Sequence, residues 1–472
     1  MSLVSNLFIL FVAASVLIYY LVPRRFQWIV LLAFSYIYYI AGGPRYVVFI
    51  LFSTIVTWLL ALLIEKTEGN GNHKGAKKLL ILGLILNFGM LGVVKYTNFT
   101  IENINALFHL HLRGIELLFP LGISFYTFQS SGYLLDVYWK RCKAERQPFK
   151  YALFVSYFPQ ILQGPIGRYS RLANQLYAEH KFESQNIVRG FERILWGFFK
   201  KMILADWAAV FSDAIFCDPE KYNGVALLGV LFYLIQIYAD FSGGMDVVIG
   251  ISSMFGIELD ENFKRPYFAV STADFWHRWH ISLSTWLRDY LYISLGGNRK
   301  GKIRTYINLI LTMLLGGLWH GASWNFVVWG GLHGVALALH KFFRNLLGRP
   351  KQYRSRGIRK FFAVVLTFHF VCFCWIFFRN STFEASVTMI RQIFTAFHPE
   401  LLEQLLTGYW KVFALMGVGF LLHFCPDSWQ NACSRGMVRM PLIAQALIMI
   451  ALIYLVIQVK SSDIQPFIYF QF

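Results

Sequence analysis

Apolar runs approaching the ~20 residues that a helix needs to cross a bilayer recur from one end of the chain to the other. They cover about 3–22, 28–40, 46–64, 79–94, 117–135, 151–166, 194–216, 225–237, 245–257, 306–319, 324–339, 361–378, 412–424 and 442–459. Polar positions between them gather in short loops, and no stretch of domain size is left over for a soluble module. Several runs are too short to cross alone. The pattern therefore predicts about 10–12 transmembrane helices, with the remainder re-entrant or in-plane and covered by protein. The expected fold is an all-α polytopic membrane protein, one integral-membrane domain over 1–472. The first run has no basic residue before it and no small-residue cleavage pattern after it, so it reads as a retained span.

Basic residues set the expected orientation. Arg24 and Arg25 follow the first run and only Arg45 the second, whereas Lys66, Lys74, Lys77 and Lys78 follow the third. Further basic loops lie at 140–150 and 341–360. By the positive-inside rule this pattern places the N-terminus and the C-terminal tail, 460–472, outside the cytoplasm. Between 379 and 411, Phe383, Val387, Ile390, Ile393, Phe394 and Phe397 recur at helical spacing. They predict an amphipathic helix, either on the outer interface or packed as a short connector.

Composition sharpens this picture. Of 472 residues, 57% are apolar or aromatic and 15% charged, against about 45–50% and 25% in soluble domains. Mean hydropathy is +0.49. A soluble enzyme and a fibrous or disordered chain are excluded. The net charge of +19 belongs to the loops between spans, not to nucleic-acid binding. The six cysteines form no CxxC pair and no zinc spacing, so neither a disulfide framework nor a metal box is expected.

Polar groups at bilayer depth are costly and point to function or pairing. Three clusters stand out. The first is Gly-Leu-Trp-His-Gly-Ala-Ser-Trp at 317–324, which places His320 between Gly317 and Gly321, glycines that permit close approach, with Trp319 and Ser323 as candidate tunnel or donor-binding residues. Neutral imidazole is suited to taking a proton from a hydroxyl near neutral pH; a satisfied structural histidine is the alternative. His333 is a weaker counterpart. The second cluster, 274–290, has Trp276, Trp279, His280, Leu283, Trp286, Leu287 and Tyr290 at steps of three and four. It predicts one in-plane helix that presents His280 inward, with His277, Arg278 and Arg288 on other faces; a tryptophan anchor with an incidental histidine also fits. In the third, Phe-Pro-Gln-Ile-Leu-Gln-Gly-Pro-Ile-Gly at 158–167, two prolines and two glycines break a helix. With Gln163, Gly164, Pro165 and Arg168 it forms a candidate tunnel wall or a hinge. His277, His280, His320 and His333 lack the spacing and carboxylates of a metal site.

At these residues the chain resembles the membrane-bound O-acyltransferase family, in particular its bacterial branch for polysaccharide O-acetylation and teichoic acid D-alanylation. The matching segments run in the family's order: 120–129, 158–168, Gln-Ile-Tyr-Ala-Asp-Phe-Ser-Gly at 236–243, Glu-Asn-Phe-Lys-Arg-Pro-Tyr at 261–267, 276–299 and 318–324. Gly244-Met-Asp246 departs from the aromatic and serine usual before that aspartate. The resemblance implies a funnel-shaped fold with a tunnel, His320 as the catalytic histidine and His280 as its neighbour. It also implies an acyl thioester donor, most simply acetyl-CoA, with no bound cofactor. Arg278 and Arg288 become candidate contacts for the donor's phosphates, and the tail around Tyr469 matches an aromatic motif proposed to carry the acyl group; an aromatic-belt anchor at 467–472 is the alternative. An SGNH-hydrolase-like acetyltransferase outside the cytoplasm would be the partner, an exported glycan the acceptor, and the bacterial plasma membrane the site of action. The competing readings are D-alanyl transfer from a carrier protein to teichoic acids, and a glycan or lipid transporter.

Overall fold

The computed structural model describes residues 3, 5–161, 163–222, 225–350, 355–396, 398 and 400–459. Among them there is no strand. In chain order the helices are α1 (Asn6–Leu21), α2 (Gln27–Gly42), α3 (Val47–Gly69), α4 (His73–Phe108), α5 (Ile123–Tyr138), α6 (Pro148–Ser156), α7 (Tyr169–Leu176), α8 (Ser184–Phe198), α9 (Asp206–Cys217), α10 (Pro219–Tyr222) and α11 (Ala226–Met254). They continue with α12 (Thr272–Trp276), α13 (Ile281–Trp286), α14 (Lys302–His320), α15 (Trp324–Leu346), α16 (Gly357–Arg379), α17 (Phe383–Thr395), α18 (Glu400–Gly408), α19 (Trp410–Phe424), α20 (Asp427–Arg439) and α21 (Leu442–Val459). The chain is an all-helical, multi-pass membrane protein.

Among the described residues, five segments are long and apolar enough to span: Pro44–Gly69, His73–Phe108, Ala226–Met254, Trp324–Leu346 and Gly357–Arg379. The pair Glu400–Gly408 and Trp410–Leu422, bent by 85°, makes a sixth if counted as one broken span. This measure gives fewer than the expected ten to twelve because several apolar runs are cut short. Helix α1 has 16 residues, and the run at 151–166 yields only the nine-residue α6 before the proline and glycine positions end it. The opposite also occurs: the runs at 225–237 and 245–257 are one continuous helix, α11.

The chain groups into two compact units, Met1–Ile194 with Val247–Asp260, and Leu195–Asp246 with Glu261–Phe472. In the first, α3 packs on α4 and α5. Polar bonds join them: Ser53 Oγ donates to Asn87 Oδ1 at 2.6 Å, and Asn87 Nδ2 donates to Thr57 Oγ1 at 3.2 Å. Such contacts hold helices together where apolar side chains are already surrounded by lipid. Large apolar residues remain outward on α1, α3 and α4, among them Leu10, Leu17, Val48, Ile55 and Ile85, as a bilayer-facing surface requires.

In the second unit, a π-helical turn, Phe199–Ala205, carries two adjacent lysines to α11. Lys201 Nζ lies 2.6 Å from Asp240 and 2.8 Å from Asp206, with all three side chains about 1% exposed. Lys200 pairs with Asp246 at 2.6 Å. These pairs are what let α11 carry two carboxylates through its apolar length. Around them lies a core of aromatic side chains that includes Trp276, Trp279, Trp329 and Trp375.

Candidate active site

The helical hairpin α14–α15 supplies two histidines of the second unit. A Cβ on Gly317 would run into the Phe326 carbonyl, and one on Gly330 into the Met313 carbonyl. Two helix backbones therefore touch, as small residues allow. His320 ends α14, buried, with its ring 5.0 Å from Trp319, 5.1 Å from Trp329 and 5.2 Å from Phe378. Ser323 caps α15 by accepting from Asn325 N–H at 3.2 Å, which gives this serine a structural task in the turn. His333, one turn beyond Trp329, packs 4.9 Å from that indole and 5.1 Å from Trp276.

The third histidine arrives differently, and here the expected single helix at 276–290 is corrected. The chain forms α12, breaks at His277–His280, resumes as the six-residue α13 and passes into a π-helical turn, Leu287–Tyr292. His280 stands at the break with φ 44° and ψ 55°. That left-handed conformation is uncommon for a residue with a side chain and persists only where surrounding contacts enforce it. The enforcing residue is Asn262. Its carbonyl accepts from Ile281 N–H at 3.0 Å, its Oδ1 accepts from Ser282 N–H at 2.8 Å, and its Nδ2 lies 3.3 Å from His280 Nδ1. Aromatic periodicity hid the break, because Trp276, Trp279 and Trp286 keep helical spacing across it.

His280 is fully buried, its ring 4.9 Å from Phe241 and 6.2 Å from Trp319. The same indole thus neighbours both His280 and His320, and Trp329 neighbours both His320 and His333. Three imidazoles and two indoles form a continuous buried series walled by phenylalanines. Packing of this kind excludes water, and its imidazoles can accept a proton from a hydroxyl and donate hydrogen bonds to developing charge. Among the described residues no three His, Cys, Asp or Glu side chains gather as metal ligands.

Arg278 is engaged by Asp274 at 3.0 Å, and Arg288 by its neighbour Asp289 at 2.7 Å, and both are partly exposed. Gln163, Gly164, Pro165 and Arg168 belong to the first unit. Their segment is non-helical between α6 and α7, as expected. Gln163 there is joined by Gln160, which sequence reasoning passed over. Both carboxamides are buried, and none of their four polar atoms has a hydrogen-bond partner. A Cβ on Gly164 would collide with the Gln160 backbone, and one on Gly167 with the Gln160 carboxamide nitrogen, so the two glycines make room for this side chain. Tyr469 lies outside the described residues, as does the whole 460–472 tail.

Comparison with known proteins then gives the chain its context. Residues 145–383 match the model of MBOAT, the membrane-bound O-acyltransferase family. The probable alginate O-acetylase AlgI of Pseudomonas putida is 35% identical over 99% of this chain and 99% of its own. The peptidoglycan O-acetyltransferase of Helicobacter pylori is 37% identical over 77% of this chain and 72% of its own. A teichoic acid D-alanyltransferase of Bacillus subtilis is 30% identical over 57% of this chain and 71% of its own.

Proposed function

The chain belongs to the membrane-bound O-acyltransferase family, and from that premise we propose that it moves an acetyl group from cytoplasmic acetyl-CoA toward the hydroxyls of an exported polysaccharide or cell-wall polymer. The observation that carries this reading is the approach of His280 and His320 to one indole, Trp319, inside a buried aromatic cluster. Membership of an acyltransferase family favours catalysis over the transporter reading. The near-complete match to an O-acetylase, against little more than half of the chain for a D-alanyltransferase, favours acetyl over D-alanyl transfer.

In this mechanism His320 takes the proton from the acceptor hydroxyl, and the oxygen attacks the thioester carbonyl. His280 donates a hydrogen bond to the oxyanion that forms, a contribution worth about 3–4 kcal/mol in comparable sites. Collapse breaks the carbon–sulfur bond, and the imidazolium of His320 returns its proton to the departing thiolate. An ester and free coenzyme A result. The acceptor hydroxyl is either that of the polymer or that of Tyr469, whose acetylated form an SGNH-hydrolase-like partner would then unload outside the cell. The aromatic motif at 467–472 supports the relay, as does the distribution of basic loops, which favours a tail outside the cytoplasm. Arg278 and Arg288 meet the donor's phosphates, and the bacterial plasma membrane houses the enzyme.

Incubation of purified protein with labelled acetyl-CoA, followed by intact mass and peptide mapping, tests this. Label on Tyr469 that disappears in His320→Ala and in Tyr469→Phe establishes donor and relay together. Thiol release that needs His320 without label on the chain means direct transfer to the polymer. Absence of both, with recovery of activity on adding an acylated carrier protein, would replace the acetyl reading by D-alanyl transfer.

A further inference from the structure

Asn262 does more than close a turn. A backbone N–H can only donate, so the 2.8 Å bond from Ser282 N–H identifies the end of the Asn262 carboxamide that it meets as oxygen. The other end, which lies 3.3 Å from His280 Nδ1, is therefore the NH2 group. An NH2 group has protons and no lone pair to offer, so His280 must present the lone pair of Nδ1 to it. The ring proton then sits on Nε2. The imidazolium is disfavoured in the same way, since its Nδ1–H would point at an N–H. Both polar ends of Asn262 are committed, and the residue is buried, so it is held against turning over.

We propose that Asn262 is a positioning residue that fixes His280 as the Nε2–H tautomer, a hydrogen-bond donor and not a base. The inference rests, for its catalytic meaning, on the reading that His280 serves acyl transfer. It divides the labour between the histidines: a donor cannot also take the hydroxyl proton, which leaves that step to His320. The same device recurs at His333, where the Trp276 indole N–H, a donor only, lies 3.3 Å from Nδ1. Two histidines from different segments thus carry their ring proton on Nε2, each because the group facing Nδ1 is a donor.

Nitrogen-15 NMR of histidine-labelled protein in proteoliposomes reads the tautomer directly, with His280 assigned by its loss in His280→Gln. Wild-type protein is expected to carry the His280 proton on Nε2 and a bare Nδ1. Asn262→Asp keeps an oxygen for Ser282 N–H but turns an acceptor toward the ring, so Nδ1 gains a proton. With it kcat falls by about a hundredfold while KM for acetyl-CoA changes little. A wild-type spectrum with a protonated Nδ1 overturns the inference without any variant. A bare Nδ1 in folded Asn262→Asp overturns it as well. If Nδ1 is protonated in that variant and kcat is unchanged, the positioning role of Asn262 stands and it is the catalytic reading of His280 that fails.

Discussion

Two pieces of chain bring a histidine to Trp319, and they do so in opposite ways. His320 ends a regular helix, and its place follows from backbone contact between α14 and α15 at Gly317 and Gly330. His280 stands in a gap between helices, in a left-handed conformation held by hydrogen bonds from a residue 18 positions earlier. One position is set by volume, the other by polar bonds. Changes of size at the helix contact should therefore disturb the first, and changes of hydrogen-bonding character the second, each with little effect on the other.

The largest expected effect is chemical. His320→Ala should lower turnover by about 10²–10⁴, the usual contribution of a general base, with an unchanged melting temperature in detergent. His280→Ala should lower kcat by about 10²–10³, as loss of an oxyanion donor does; equal losses in kcat/KM and kcat would mark an interaction made only in the transition state. Gly330→Val addresses the hairpin itself. Its side chain meets the Met313 carbonyl, and overpacking of this kind costs about 1–3 kcal/mol, visible as a lower melting temperature; a variant as stable as wild type would break the contrast between volume and polar control. The smallest effect is expected for Ser323→Ala. It should lose about 1 kcal/mol of stability through the α15 cap and retain kcat, whereas a tenfold or greater fall in kcat would return Ser323 to the chemistry.

The same contrast explains what the sequence made legible. The glycines beside His320 announced close approach, and the hairpin provides it. The prolines and glycines at 158–167 announced a break, and the described residues there are non-helical. Two features escaped because each depends on a distant partner. The aromatic spacing of 276–290 fits a helix, and nothing within the segment reveals that Asn262 interrupts it. Asp240 and Asp246 interrupt the apolar pattern of α11, and nothing within that helix reveals that Lys201 and Lys200 neutralise them. Gln160 escaped for a third reason: a glutamine in an apolar run looks like an isolated polar residue until its burial beside Gln163 is seen. Periodicity reads local geometry well, but it is blind to polar bonds across the fold.

The most direct test of the account is the initial rate of thiol release from acetyl-CoA, with polysaccharide acceptor present, for wild-type protein and His320→Ala in proteoliposomes. The account predicts a rate lower by about a hundredfold or more in the variant, at equal amounts of folded protein. A folded variant that releases thiol within about tenfold of wild type would contradict the assignment of His320 as the base and, with it, the division of roles between the two histidines.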